Sequence, residues 1–113
     1  MNAASPRFFS ASLLALLLIA NDAALAQSEP TTLVNQQHCM FCHTLDAPFL
    51  APSFQQIAQR YRDVPGAPAM LERKLRVGGK AHWGEMAMPL PQDRGGPLTP
   101  DDAHLLIRWV LSQ

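Results

Sequence analysis

The run Cys39-Met40-Phe41-Cys42-His43 constrains this chain more than any other stretch. Two cysteines spaced by two residues and followed at once by histidine read as a covalent attachment site for a c-type haem. The spacing has a chemical reason. Each thiol adds across one haem vinyl group, and two intervening residues on a helical turn match the separation of the vinyls. The adjoining histidine then swings under the ring and offers its imidazole to the iron, a common proximal ligand. The chain has only these 2 cysteines, so nothing else competes for them. A thioredoxin-like redox pair would need alternating strands and helices around the motif, and no strand run is evident. A zinc site would need two further ligands at recognisable spacing, and no second C-x-x-C or H-x-x-x-H exists.

The 113-residue sequence opens with a leader. Met1 to Arg7 is weakly basic, Phe8 to Ala20 is largely apolar, and Ala24-Leu25-Ala26 is a small-x-small cleavage site. That layout is a secretory signal peptide over residues 1–26, its apolar core being shorter than a membrane span. Cleavage leaves a domain over 27–113, about 87 residues, a length at which a chain is marginal without a staple. A covalent haem is such a staple. Export also fits the motif, because bacteria join c-type haem to protein outside the inner membrane, so the expected compartment is the periplasm. Formal net charge is +0, and no basic stripe or acidic tail suggests nucleic acid as a partner. No later apolar stretch is long enough to span a bilayer.

Along the mature chain, Pro30 to Cys39 reads as a first helix with Leu33 and Val34 apolar. The loop from Thr44 to Pro52 is broken by Asp46, Pro48 and Pro52. Ser53 and Gln56 form a capping box for a helix to Arg62, with Phe54, Ile57 and Tyr61 on one face. Pro68 suits the first turn of a third helix, which carries Met70, Leu71 and Leu75 and stops at Gly78-Gly79. Lys80 to Pro97 is too rich in proline and glycine for a regular element and is expected to wrap something. Thr99-Pro100-Asp101-Asp102 starts a last helix, running to about Ser112. Its expected core stripe is Leu105, Leu106, Trp109 and Val110, with Asp101, His104 and Arg108 facing water. Four short helices in one all-α domain around one haem are the expected architecture.

Iron held by His43 needs a ligand on its other face. The downstream candidates are Met70, Met86, Met88, His82 and His104. Met70 sits at a helical apolar position and reads as packing; His104 reads as surface. Within the irregular loop Met88 is favoured over Met86 and His82, since Pro89 forces it toward an extended backbone. A stiff extended segment can present a thioether without breaking helical hydrogen bonds, and a thioether raises the reduction potential relative to a second imidazole.

The haem motif, Ala51-Pro52, Trp83-Gly84-Glu85-Met86-Ala87-Met88-Pro89 and the ending Ile107-Arg108-Trp109-Val110-Leu111-Ser112-Gln113 together resemble the small bacterial class I cytochromes c. The resemblance covers the mature chain in order. It implies Met88, directly before proline, as the axial methionine. It implies that the Pro52 carbonyl accepts a hydrogen bond from His43, which would fix the ring and strengthen it as a donor. It implies that the Trp83 indole reaches a haem propionate, and it sets Lys74 where a basic residue often stands near the propionates. Trp109 would pack the last helix against the first, near Val34. The chain departs from the family at Ala51 and His38, where glycine is common. It also has Leu90 or Pro91 where short members often place an asparagine that bonds the ligand sulfur.

The function so implied is a periplasmic one-electron carrier, a monomer rather than an enzyme, meeting redox proteins briefly at the haem edge through a small interface. A second expectation is an electron-accepting haem subunit of a periplasmic oxidoreductase, whose permanent contact would suit an apolar rim of Phe41, Ala47, Pro48, Phe49 and Leu50. A third, an enzyme or gas sensor, would need an open distal site.

Overall fold

A computed structural model describes residues 29–81, 83 and 86–113. The leader assigned to 1–26, and His82, lie outside the described residues. Helices α1 (Thr31–Gln36), α2 (Phe54–Tyr61), α3 (Ala67–Val77), α4 (Pro91–Arg94) and α5 (Pro100–Leu111) alternate with loops, and a single 3-10 turn spans Cys39–Phe41. No strand is present among the described residues; one antiparallel bridge joins Gly79 and Met88.

α5 is the hub, packing on α2, α3 and α1. Thr99 caps it by accepting from the Asp102 amide at 3.1 Å, and Pro100, Asp101 and Asp102 fill its positive first turn. Ala103, Leu106, Ile107 and Val110 recur at helical spacing and are buried with Trp109. Leu105 corrects the expected stripe: it is 45% exposed, because two residues on from Ala103 is a turn of about 200° at 3.6 residues per turn. Trp109 meets Phe54 edge-on at 4.9 Å. Val34, Leu98, Ala103, Leu106 and Val110 complete the core around this pair. Arg62 lashes the end of α2 to the chain terminus, donating to the Leu111 carbonyl at 3.2 Å and to that of Gln113.

α2 starts as the sequence predicts. The Gln56 amide donates to Ser53 Oγ at 3.1 Å and the Ser53 amide to Gln56 Oε1 at 2.9 Å. Phe54 and Ala58 turn into the core, while Ile57 and Tyr61 look toward a cavity beside it. α3 is capped by Gly66 at φ 79 and stops at Gly78 and Gly79, φ 61 and 98.

Two elements differ from expectation. The first helix does not run through Cys39. It stops at Gln36, because His38 takes the left-handed region at φ 51 and turns the chain into the 3-10 turn that carries Cys39. Within the segment expected to be irregular, Pro91–Arg94 forms a helical turn. Pro91 is pre-set for a first helical position, and Gly95 lets the turn close against α1: a Cβ there would lie 1.7 Å from the Gln36 carbonyl oxygen.

Candidate functional site

Between the 3-10 turn, α2, α3 and the segment before α4 lies a cavity of about 380 Å³. Cys39, Cys42, His43, Pro52, Trp83 and Met88 all line it. A smaller space of about 90 Å³ continues toward the core, reached by Cys39, His43 and Met88 together with Phe54 and Trp109.

Local hydrogen bonding explains how the loop after the motif reaches the imidazole. The His43 amide donates to the Cys39 carbonyl at 3.0 Å and the Ala51 amide to the Cys42 carbonyl at 3.0 Å. The Phe54 amide donates to the Thr44 carbonyl at 2.9 Å, and the Thr44 hydroxyl closes a turn with the Ala47 backbone. These bonds return the chain so that the Pro52 carbonyl meets His43 Nδ1 at 2.6 Å. A carbonyl can only accept, so Nδ1 carries the proton and Nε2 keeps its lone pair. The ring is stacked on Phe54 at 5.2 Å, and Phe54 rests on Trp109, so the core buttresses the imidazole. Burial pushes the His43 pKa down, opposed by its bond to Pro52; the Arg94 charge lowers it further. Burial pushes the Cys39 thiol up, opposed by Arg94. Both thiols are free.

Met88 is half-buried and is held by its own backbone: its amide donates to the Gly79 carbonyl at 3.1 Å, and the Gly79 amide donates back at 3.2 Å. Gly78 must be glycine here, since its φ is 61 and a Cβ would stand 3.0 Å from the Met88 carbonyl oxygen. Met86 lines only the larger cavity and is 51% exposed. Met70 is half-buried, outside the main core cluster, and lines neither cavity. His104 is exposed and faces Glu72, its Nδ1 2.7 Å from Oε1. Trp83 is stacked on Tyr61 at 6.0 Å and covered by the Arg60 guanidinium at 4.4 Å. Lys74 lines both cavities.

The sequence does not single out Gln37 and Arg94. Arg94 lines the cavity and donates to Gln37, 57 positions away. No local spacing encodes such a pair.

A haem fits this donor set. Two free thiols, an imidazole with its outer nitrogen available and a thioether share one cavity, whose other walls are largely apolar side chains such as Leu71, Ile57 and Tyr61. Its volume is that of a cofactor pocket.

No protein-family model matches the chain, but individual proteins do. Over 102 residues it is 30% identical to cytochrome c-551 of Pseudomonas aeruginosa, an alignment covering 87% of this chain and 93% of that one. Over 83 residues it is 35% identical to cytochrome c2 of Rubrivivax gelatinosus, covering 73% and 94%. In structure it superposes on cytochrome c552 of Nitrosomonas europaea with a TM-score of 0.63 at 27% identity, covering 73% and 96%. The fold and these relatives define a small monohaem class I cytochrome c, and the chain belongs to that family. Its members are electron-transfer proteins rather than enzymes, and they carry one covalently bound haem c. No helix among the described residues is long and apolar enough to cross a membrane.

Proposed function

We propose that this chain is a periplasmic one-electron carrier whose haem c is bonded to Cys39 and Cys42 and ligated by His43 and Met88. The haem supplies an iron that takes up and gives back one electron. Everything else falls to the protein. Cys39 and Cys42 fix the ring to the 3-10 turn. Pro52 holds the protonated Nδ1 of His43, so that Nε2 is aimed and made more basic. Gly79 holds the backbone of Met88 extended, so that the thioether is presented without strain. His43 and Met88 would hold the iron between them, leaving a substrate no place on it. Trp83, in contact with both Tyr61 and Arg60, lines the cavity and is assigned to a propionate. Residues 1–26 serve as the export leader.

Redox partners dock at the apolar rim beside the cysteines, where Phe49 is 66% exposed and Met40 and Leu45 are also uncovered, next to Phe41 and Leu50 at the edge of the cavity. One observation carries the assignment: both thiols, the Pro52-bound imidazole and the Gly79-bound methionine line a single cavity. Its test is the mass of the protein purified from the periplasmic fraction. One haem added to the chain from residue 27, lost on Cys39→Ala with Cys42→Ala, is the expected result. An unmodified chain, or haem retained by the double variant, would contradict it.

A further inference from the structure

Arg94 ends α4 with its guanidinium half-buried at the cavity. Its nitrogens reach three separate pieces of the fold. Nε donates to the Pro89 carbonyl at 3.3 Å, directly after Met88. Nη2 donates to the Leu75 carbonyl of α3 at 2.6 Å. Nη1 donates to Gln37 Oε1. Gln37 is 1% exposed, two residues before Cys39, and its Nε2 donates to the Gly96 carbonyl at 3.0 Å. Among the described residues the Met88 backbone is otherwise anchored on Gly79, so Arg94 is a second hold on that segment and ties it to the start of the haem motif.

The charge matters as much as the bonds. All three acceptors are neutral, and among the described residues the only ion pair is His104 with Glu72. A guanidinium held at the cavity and partly withdrawn from water acts on charges nearby more strongly than one in free solution. Its influence on Cys39 and His43 is in keeping with that position. The oxidised centre carries one more positive charge than the reduced one, so a fixed cation at the cavity disfavours oxidation.

We infer that Arg94 is a positioning residue of the electron-transfer site: it holds the Met88 segment against the haem motif through Pro89 and Gln37, and its positive charge beside the cavity raises the reduction potential. This rests on His43 and Met88 being the axial ligands.

Three variants separate the roles in the holoprotein. Arg94→Lys keeps the charge and loses the three-way fork. Gln37→Glu keeps an acceptor for Nη1 and cancels the charge. Arg94→Gln removes both. The readouts are the equilibrium potential and the temperature at which the far-red iron–methionine band disappears. Gln37→Glu and Arg94→Gln are expected to move the oxidised-to-reduced ratio at fixed poise about tenfold toward oxidised, roughly 59 mV for one electron. Arg94→Lys is expected to stay within about twofold of the wild-type ratio while losing the band at lower temperature. Potentials unchanged within about twofold in Gln37→Glu and Arg94→Gln overturn the charge role. A band that persists in Arg94→Lys and Arg94→Gln to the same temperature as in the wild type overturns the tether. A wild type with no such band overturns the axial assignment instead, and the potentials then still decide the charge. Should Arg94→Gln fail to fold, the other two variants carry the test.

Discussion

His38 is the only non-glycine residue with positive φ among the described residues. The left-handed region costs a side chain roughly 1–2 kcal/mol, less for histidine, which tolerates it better than most. Part is returned by the stack of its ring on Phe41 at 4.9 Å. His38→Gly should therefore stabilise the holoprotein by about 0.5–1 kcal/mol in denaturant unfolding. A loss of stability would mean that the stack outweighs the strain. The absence of a glycine here is visible in the sequence, but the reason it matters is a backbone angle that only the structure supplies. Gly95 is the converse. Nothing in the run Arg94-Gly95-Gly96 shows that the Gln36 carbonyl lies against it, yet Gly95→Ala should cost about 3 kcal/mol or more, because backbone rather than a movable side chain stands in the way.

At the scale of elements, caps set the boundaries of α2 and α5. Ser53→Ala and Thr99→Ala should each lower unfolding free energy by about 1 kcal/mol. Ser53→Ala should be the costlier, since it also leaves a buried helix start with a donor unmet. Equal, negligible effects would contradict the role given to the caps. Such signatures are local, three residues apart, which is why the starts of both helices are legible in the amino-acid order itself. α4 is not. It is a single turn, its Pro91 looks like a breaker, and its stability comes from Arg94 and Gly95 meeting α1 and α3 far along the chain. The bend after Gln36 is hidden for a similar reason, since helix pattern and haem motif adjoin with no break residue between them. Leu105 is a simpler lesson: an apolar residue beside the stripe is taken for part of it until the helix phase is fixed by Ala103.

For the whole molecule, the order of motifs along the chain carries the fold, because every piece must face one flat cofactor. What the sequence leaves open is how the surface around that cofactor is distributed. Phe49, Leu45 and Met40 are exposed on a chain of formal net charge +0; in the carrier proposed above, partners would meet this patch by local apolar contact more than by long-range steering. Electron self-exchange between two copies of the holoprotein reads this without a partner. Leu45→Lys with Phe49→Lys should slow it roughly tenfold at low salt, with recovery as salt screens the added charge. An unchanged rate would place electron exit elsewhere on the surface. The central claim, that His43 and Met88 close the iron on both faces and make the chain a carrier, is tested most directly by the ferric absorption spectrum of wild type and Met88→Ala. A weak far-red iron–sulfur band is expected in the wild type and absent from Met88→Ala. A wild type that lacks the band, or is high-spin and binds carbon monoxide readily when reduced, would contradict it.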